Sequence, residues 1–146
     1  MGQQGQGYRI LIADDEPELV DLVRMVLEMD GYEVIAAADG IEALNRARDD
    51  LPDLILLDVN MPKMNGLNVL EHLHADPLTV EVPVVMLSVV TTYPEVRMAL
   101  QRGADAYLPK PFELKALTRL VGRVLATDPK GRNALREQAL KTIGKV

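Results

Sequence analysis

The chain has 146 residues, 48 % of them hydrophobic but only 3 % aromatic, so a single domain has to build its core from aliphatic side chains and methionine. It contains no cysteine, which excludes disulfides and thiolate chemistry, and no apolar run approaches the ~20 residues of a membrane helix. The net charge of −6 is uneven: residues 127–146 carry +3 and the first 126 carry −9, which makes that acidic body a poor partner for nucleic acid.

MGQQGQG (1–7) is polar and glycine-rich, is expected to be disordered, and lacks the basic-then-apolar layout of a signal peptide. Together with the absence of cysteine, this suits a cytoplasmic protein. Tyr8–Ala13 reads as a strand. Pro17 suits a first helical turn; Leu19, Leu22, Val23, Val26 and Leu27 follow at helical spacing, and Gly31 stops the helix. Tyr32–Ala37 is a second strand, and Asp39 with Glu42 has the spacing of a capping box for a helix to about Asp50. The apolar run Leu54–Leu57 is a third strand, ending in Asp58. Asn65 can cap a helix carrying Leu67, Leu70 and Leu73, and Val84–Leu87 is a fourth strand. Thr92 and Glu95 repeat the capping-box spacing before a helix ended by Gly103. Asp105–Leu108 is a short fifth strand, and Leu117, Leu120, Val121, Val124 and Leu125 mark the next helix. Residues 127–146 read as a basic tail or linker, with a weak helix over Asn133–Ile143.

Strands and helices thus alternate five times over residues 8–126, and several strands are continuous apolar runs, as in a parallel sheet covered on both faces. The expectation is an α/β doubly wound three-layer sandwich with five parallel strands in the flavodoxin-like order 2-1-3-4-5.

In such a sheet, ligands bind beyond the carboxyl ends of the strands. Asp14 and Asp15 follow strand 1, Asp58 follows strand 3, Ser88 follows strand 4 and Lys110 follows strand 5. Taken singly, each has a bland reading as a cap, turn or solvated residue. Their coincidence at one sheet edge points to a site. Three close carboxylates repel one another, and a divalent cation relieves that conflict. Oxygen ligands without His or Cys suit Mg²⁺ or Mn²⁺ rather than zinc. His72 and His74, two residues apart on a helix, point to different sides and are poor joint ligands. With a phosphate bound, Lys110 is placed to neutralise its oxygens and Ser88 to donate a hydrogen bond.

IADDEP (12–17), LLDVNMPKMNG (56–66), the strand-4 Ser88 and YLPKPF (107–112) together resemble the receiver domain of two-component response regulators, including the chemotaxis regulators. The resemblance implies that Asp58 takes a phosphoryl group from a histidine kinase. It implies that Asp14, Asp15, Asp58 and the backbone carbonyl of Asn60 hold Mg²⁺. It makes Ser88 and Tyr107 the switch pair and Lys110 the phosphate-binding lysine, with a cis Lys110–Pro111 bond. The phosphorylated state is expected to alter the helix 4–strand 5–helix 5 face, and such a chain catalyses its own phosphorylation and slow dephosphorylation without being a metabolic enzyme. The partners implied are a sensor histidine kinase or phosphotransfer protein, docking on helix 1 and the loop after strand 5, and a downstream protein or an output domain missing from this chain. Neither nucleic acid nor membrane is an expected partner of residues 8–126, and the expected state is a monomer or a weak phosphorylation-dependent dimer.

Two departures stand out. Val89 and Val90 follow Ser88 where the family usually has small residues, which predicts crowding of the attacking water and slow loss of phosphate. Asp105–Ala106 replaces an acidic doublet used in one common dimer of the family. Three alternatives remain: an aspartate-nucleophile phosphohydrolase, which typically needs an acid where Asn60 stands; a degenerate receiver that only binds; and a nucleotide binder, for which no GxGxxG or P-loop follows strand 1.

Overall fold

Runs of branched aliphatic residues form five short strands: β1 (Arg9–Ala13), β2 (Glu33–Ala37), β3 (Leu54–Asp58), β4 (Val84–Ser88) and β5 (Ala106–Pro109). The structure, a computed structural model, describes residues 7–89 and 92–144. All strand pairings are parallel and the order is β2-β1-β3-β4-β5, the expected 2-1-3-4-5. The intervening helices are α1 (Pro17–Met29), α2 (Gly40–Asp50), α3 (Gly66–Ala75), α4 (Tyr93–Gln101) and α5 (Leu114–Ala126), followed by α6 (Pro129–Gly144).

The period of two along each strand splits the core into two layers. Leu11, Ile55, Leu57, Val84 and Met86 join Ala43, Leu70 and Ala99 of α2, α3 and α4 on one face. Ile10, Ile12, Leu54, Leu56, Val85 and Leu87 join Val23, Leu27, Leu117 and Val121 of α1 and α5 on the other. Every residue of β3 and β4 is buried, which is why these strands read as unbroken apolar runs.

Local signals set most element ends. Pro17 opens α1, and Gly31, at φ +93°, follows its end. Asp39 caps α2 by accepting from the Glu42 N–H at 2.8 Å, but Glu42 answers one residue further back, on the Ala38 N–H. Asn65 caps α3 through the Asn68 N–H. Thr92 is the N-cap residue of α4, yet its side chain makes no capping bond, so the spacing with Glu95 does not produce a capping box. α6 starts at Pro129 rather than at Asn133, because Asp128 caps it by accepting from the Gly131 N–H at 2.7 Å.

Candidate functional site

The β1, β3, β4 and β5 chains all leave the sheet at the same edge. The Asp14 N–H donates to the carbonyl of Ala37, the last residue of β2, and Asp14 Oδ1 accepts from the Glu16 N–H at 2.9 Å. That turn fixes Asp14 as a buried carboxylate and leaves Asp15 exposed beside it. Asp58 is the last residue of β3 and is 4 % exposed. Its Oδ1 accepts from the Asn60 N–H at 3.3 Å. The loop returns so closely that a Cβ on Gly66 would lie 2.1 Å from the Asp58 carbonyl oxygen, so position 66 admits only glycine without movement.

Lys110 reaches this cluster from beyond β5. Its N–H donates to the Ser88 carbonyl, and its bond to Pro111 is cis. The ammonium lies 2.8 Å from Asp14 Oδ2, 3.5 Å from Asp58 Oδ1 and 3.7 Å from Glu16 Oε2. Carboxylate oxygens of Asp14, Asp15 and Asp58 all lie within 4.8 Å of one another.

Burial, then the charge of Asp14, pushes the Asp58 carboxyl up to about 6, and Asp15 adds to the effect; Lys110 and the Asn60 N–H oppose it. For Lys110, burial favours the neutral amine, but the hydrogen bond to Asp14 and the charges of Asp14, Asp58 and Glu16 outweigh it and raise the pKa. One lysine therefore does not balance the cluster, and Asp58 keeps its proton to a higher pH than a free carboxyl does. Oxygen donors with excess negative charge fit a hard divalent cation, and this arrangement resembles the Mg²⁺ site of receiver domains.

Ser88 is fully buried at the end of β4, and its hydroxyl is hydrogen-bonded to that of Tyr107 on β5. Burial raises the Tyr107 pKa, and the nearby Glu95 carboxylate of α4 raises it too, against the Ser88 bond. Val89 is 64 % exposed beside Lys110 and Phe112, whereas Val90 lies outside the described residues. His72 faces a groove between α2 and α3, while the ring of His74 packs on Gly103, so they do not converge.

Two features were not read from the sequence. Glu16 joins the Lys110 cluster; its place directly after Asp14–Asp15 was an available signal. The close approach of Gly66 to the Asp58 carbonyl had none, because it depends on how the loop folds back.

A family model described as the response regulator receiver domain matches residues 10–122. The chain belongs to the response regulator receiver family. It is 42 % identical over 118 residues to the DNA-binding response regulator MtrA of Mycolicibacterium smegmatis, covering 81 % of this chain and 49 % of that protein. It is 43 % identical over 117 residues to the transcriptional regulatory protein CpxR of Escherichia coli, covering 80 % of this chain and 49 % of the relative. The chain thus spans about half the length of the curated relatives it matches. Among solved structures, the chemotaxis response regulator CheY4 of Vibrio cholerae matches with a TM-score of 0.76 and 33 % identity, covering 80 % of this chain and 98 % of that one. The receiver domain of the sensor histidine kinase PA1611 of Pseudomonas aeruginosa matches with a TM-score of 0.76 and 30 % identity, over 83 % of this receiver chain and 99 % of the other. That structure has a magnesium ion coordinated in its active-site cleft. Among the described residues, no helix is long and apolar enough to cross a membrane.

Proposed function

We propose that this receiver is a signalling switch in which Asp58 accepts a phosphoryl group from the phosphohistidine of a sensor histidine kinase or phosphotransfer protein. The observation that carries the reading is the buried Asp58 carboxylate, set between Lys110 and the Asp14–Asp15 pair. An Asp58 oxygen attacks phosphorus, the P–N bond to the donor imidazole breaks, and the imidazole keeps the electron pair and is then protonated. Asp58 becomes an acyl phosphate, and its later hydrolysis resets the switch. Lys110 stays in place to neutralise phosphoryl oxygens, with Asp14 holding its ammonium at 2.8 Å. Mg²⁺, or Mn²⁺, held by Asp14, Asp15, Asp58 and the Asn60 carbonyl, would supply further neutralisation when bound.

Ser88 is the group that reports the event. A phosphoryl oxygen on Asp58 competes with Tyr107 for its hydroxyl, so the Ser88–Tyr107 bond breaks and Tyr107 repacks against α4. The apolar groove formed by Leu19, Leu22, Phe112 and Leu114 beside Lys110 suits the docking of the phosphodonor protein. The altered α4–β5–α5 face then acts on a downstream partner.

Incubation with Mg²⁺ and acetyl phosphate, read by intact mass, tests this. One added phosphate is expected, lost on Asp58→Asn. Rapid turnover of the donor with no phosphate retained on the protein would instead indicate a phosphohydrolase, and neither uptake nor turnover a receiver that only binds.

A further inference from the structure

α6 begins after residue 122, where the family match ends, yet it is fastened to the body. Its apolar face is thin, so hydrophobic burial alone does not explain the docking. Two arginines, one turn apart, do. Arg136 donates from Nε to the Ala104 carbonyl at 2.9 Å and places Nη2 2.7 Å from Asp105 Oδ1. Arg132 donates from Nη2 to the Glu81 carbonyl at 3.0 Å, with Nε 3.4 Å from the same Asp105 oxygen. The Asp105 side chain is 5 % exposed, and its other oxygen accepts from the Val84 N–H at 2.9 Å, which anchors it to the start of β4. Such a buried, oriented carboxylate is a strong acceptor for guanidinium.

This clamp sets α6 beside the edge strand β5, against α4 and α5. α6 packs against α4, and its Leu135 and Ala139 share a groove with Ala106 of β5 and with Leu120 and Val124 of α5. β5 carries both Tyr107, bonded to Ser88, and the groove residue Ala106, directly after Asp105. α4 carries Glu95, whose charge acts on the Tyr107 phenol, and also receives α6.

We propose that the α4–β5–α5 face is a docking surface for an arginine-bearing helix, that α6 is its resident occupant in cis, and that α6 leaves when Ser88 is drawn from Tyr107 to a phosphoryl group on Asp58. The release step rests on the switch reading above; the arginine clamp does not. A partner that uses this face has to displace α6, and phosphorylation lowers that barrier.

Hydrogen–deuterium exchange on the full chain tests both parts. In the unmodified protein, amides 133–141 are expected to be protected. Arg132→Ala/Arg136→Ala is expected to speed their exchange about tenfold or more while β1–β5 keep their protection. Unchanged α6 protection in that variant overturns the clamp, as does α6 protection found only in a sedimenting dimer. With Mg²⁺ and acetyl phosphate, α6 exchange is expected to rise severalfold in step with phosphate uptake by mass, and not in Asp58→Asn. Phosphate uptake with unchanged α6 exchange overturns the release and leaves the switch standing. Absence of uptake overturns the switch reading and the release with it.

Discussion

Asp58 is destabilising as a free carboxylate, and that has a consequence for folding. Its pKa rises from 3.8 to about 6 on folding, so the native state binds its proton more tightly than the unfolded chain does. The contribution is fully present below the unfolded value and is lost as pH rises through about 6. In chelator-treated protein, stability is therefore expected to fall by about 1–3 kcal/mol between pH 4 and 6.5 on account of this group. Asp58→Asn removes the titration, so the variant should be the more stable of the two at pH 7.5 and lack this decline. Urea denaturation at both pH values measures it, and a variant less stable than the parent at pH 7.5 would contradict the assignment. On the proposed metal site, added Mg²⁺ should narrow the gap, because it would stabilise the parent and lack one ligand in the variant.

The loop from β3 to α3 shows how an element depends on one backbone contact. The Gly66 N–H donates to the Val59 carbonyl at 2.7 Å, and the Asp58 carbonyl lies where a side chain at 66 would stand. A methyl there has to push against backbone rather than a flexible side chain. Gly66→Ala is expected to cost about 1–3 kcal/mol by equilibrium denaturation. It should also slow phosphate uptake, since the displaced loop carries Asn60. By contrast, α2 and α3 are capped by the local side chains of Asp39 and Asn65, so their starts were legible from spacing. The Thr92–Glu95 spacing was equally good and gave no capping bond, while the Glu95 carboxylate lies close to Tyr107 of the neighbouring strand. A local motif names a candidate bond, and tertiary neighbours decide whether it is used.

At the scale of the whole molecule, charge makes the acidic body an unfavourable surface for nucleic acid. The first 126 residues carry −9, and two of the five basic residues beyond them, Arg132 and Arg136, are turned inward onto Asp105. Fluorescence anisotropy with duplex DNA at physiological salt is expected to show no binding by this chain. Saturable binding at that salt would mean that the tail, not the acidic body, sets the interaction. The curated relatives whose names include DNA binding match this chain over about half their length.

Periodicity and punctuation in the sequence were enough for the five strands, the five alternating helices and the acidic edge. Buried parallel strands must be continuously apolar, and residues placed after them must meet at one edge. The resemblance of four motifs then singled out Asp58, Lys110, Ser88 and Tyr107. What needed the tertiary structure was every contact between groups distant in the chain: the ammonium of Lys110 shared among Asp14, Asp58 and Glu16, the carbonyl that excludes a side chain at Gly66, and the turn of Arg132 and Arg136 toward Asp105. A basic tail and a docked helix can share one sequence pattern. A buried acceptor tens of residues away tells them apart, and its position is set only when β4, β5 and α6 come together.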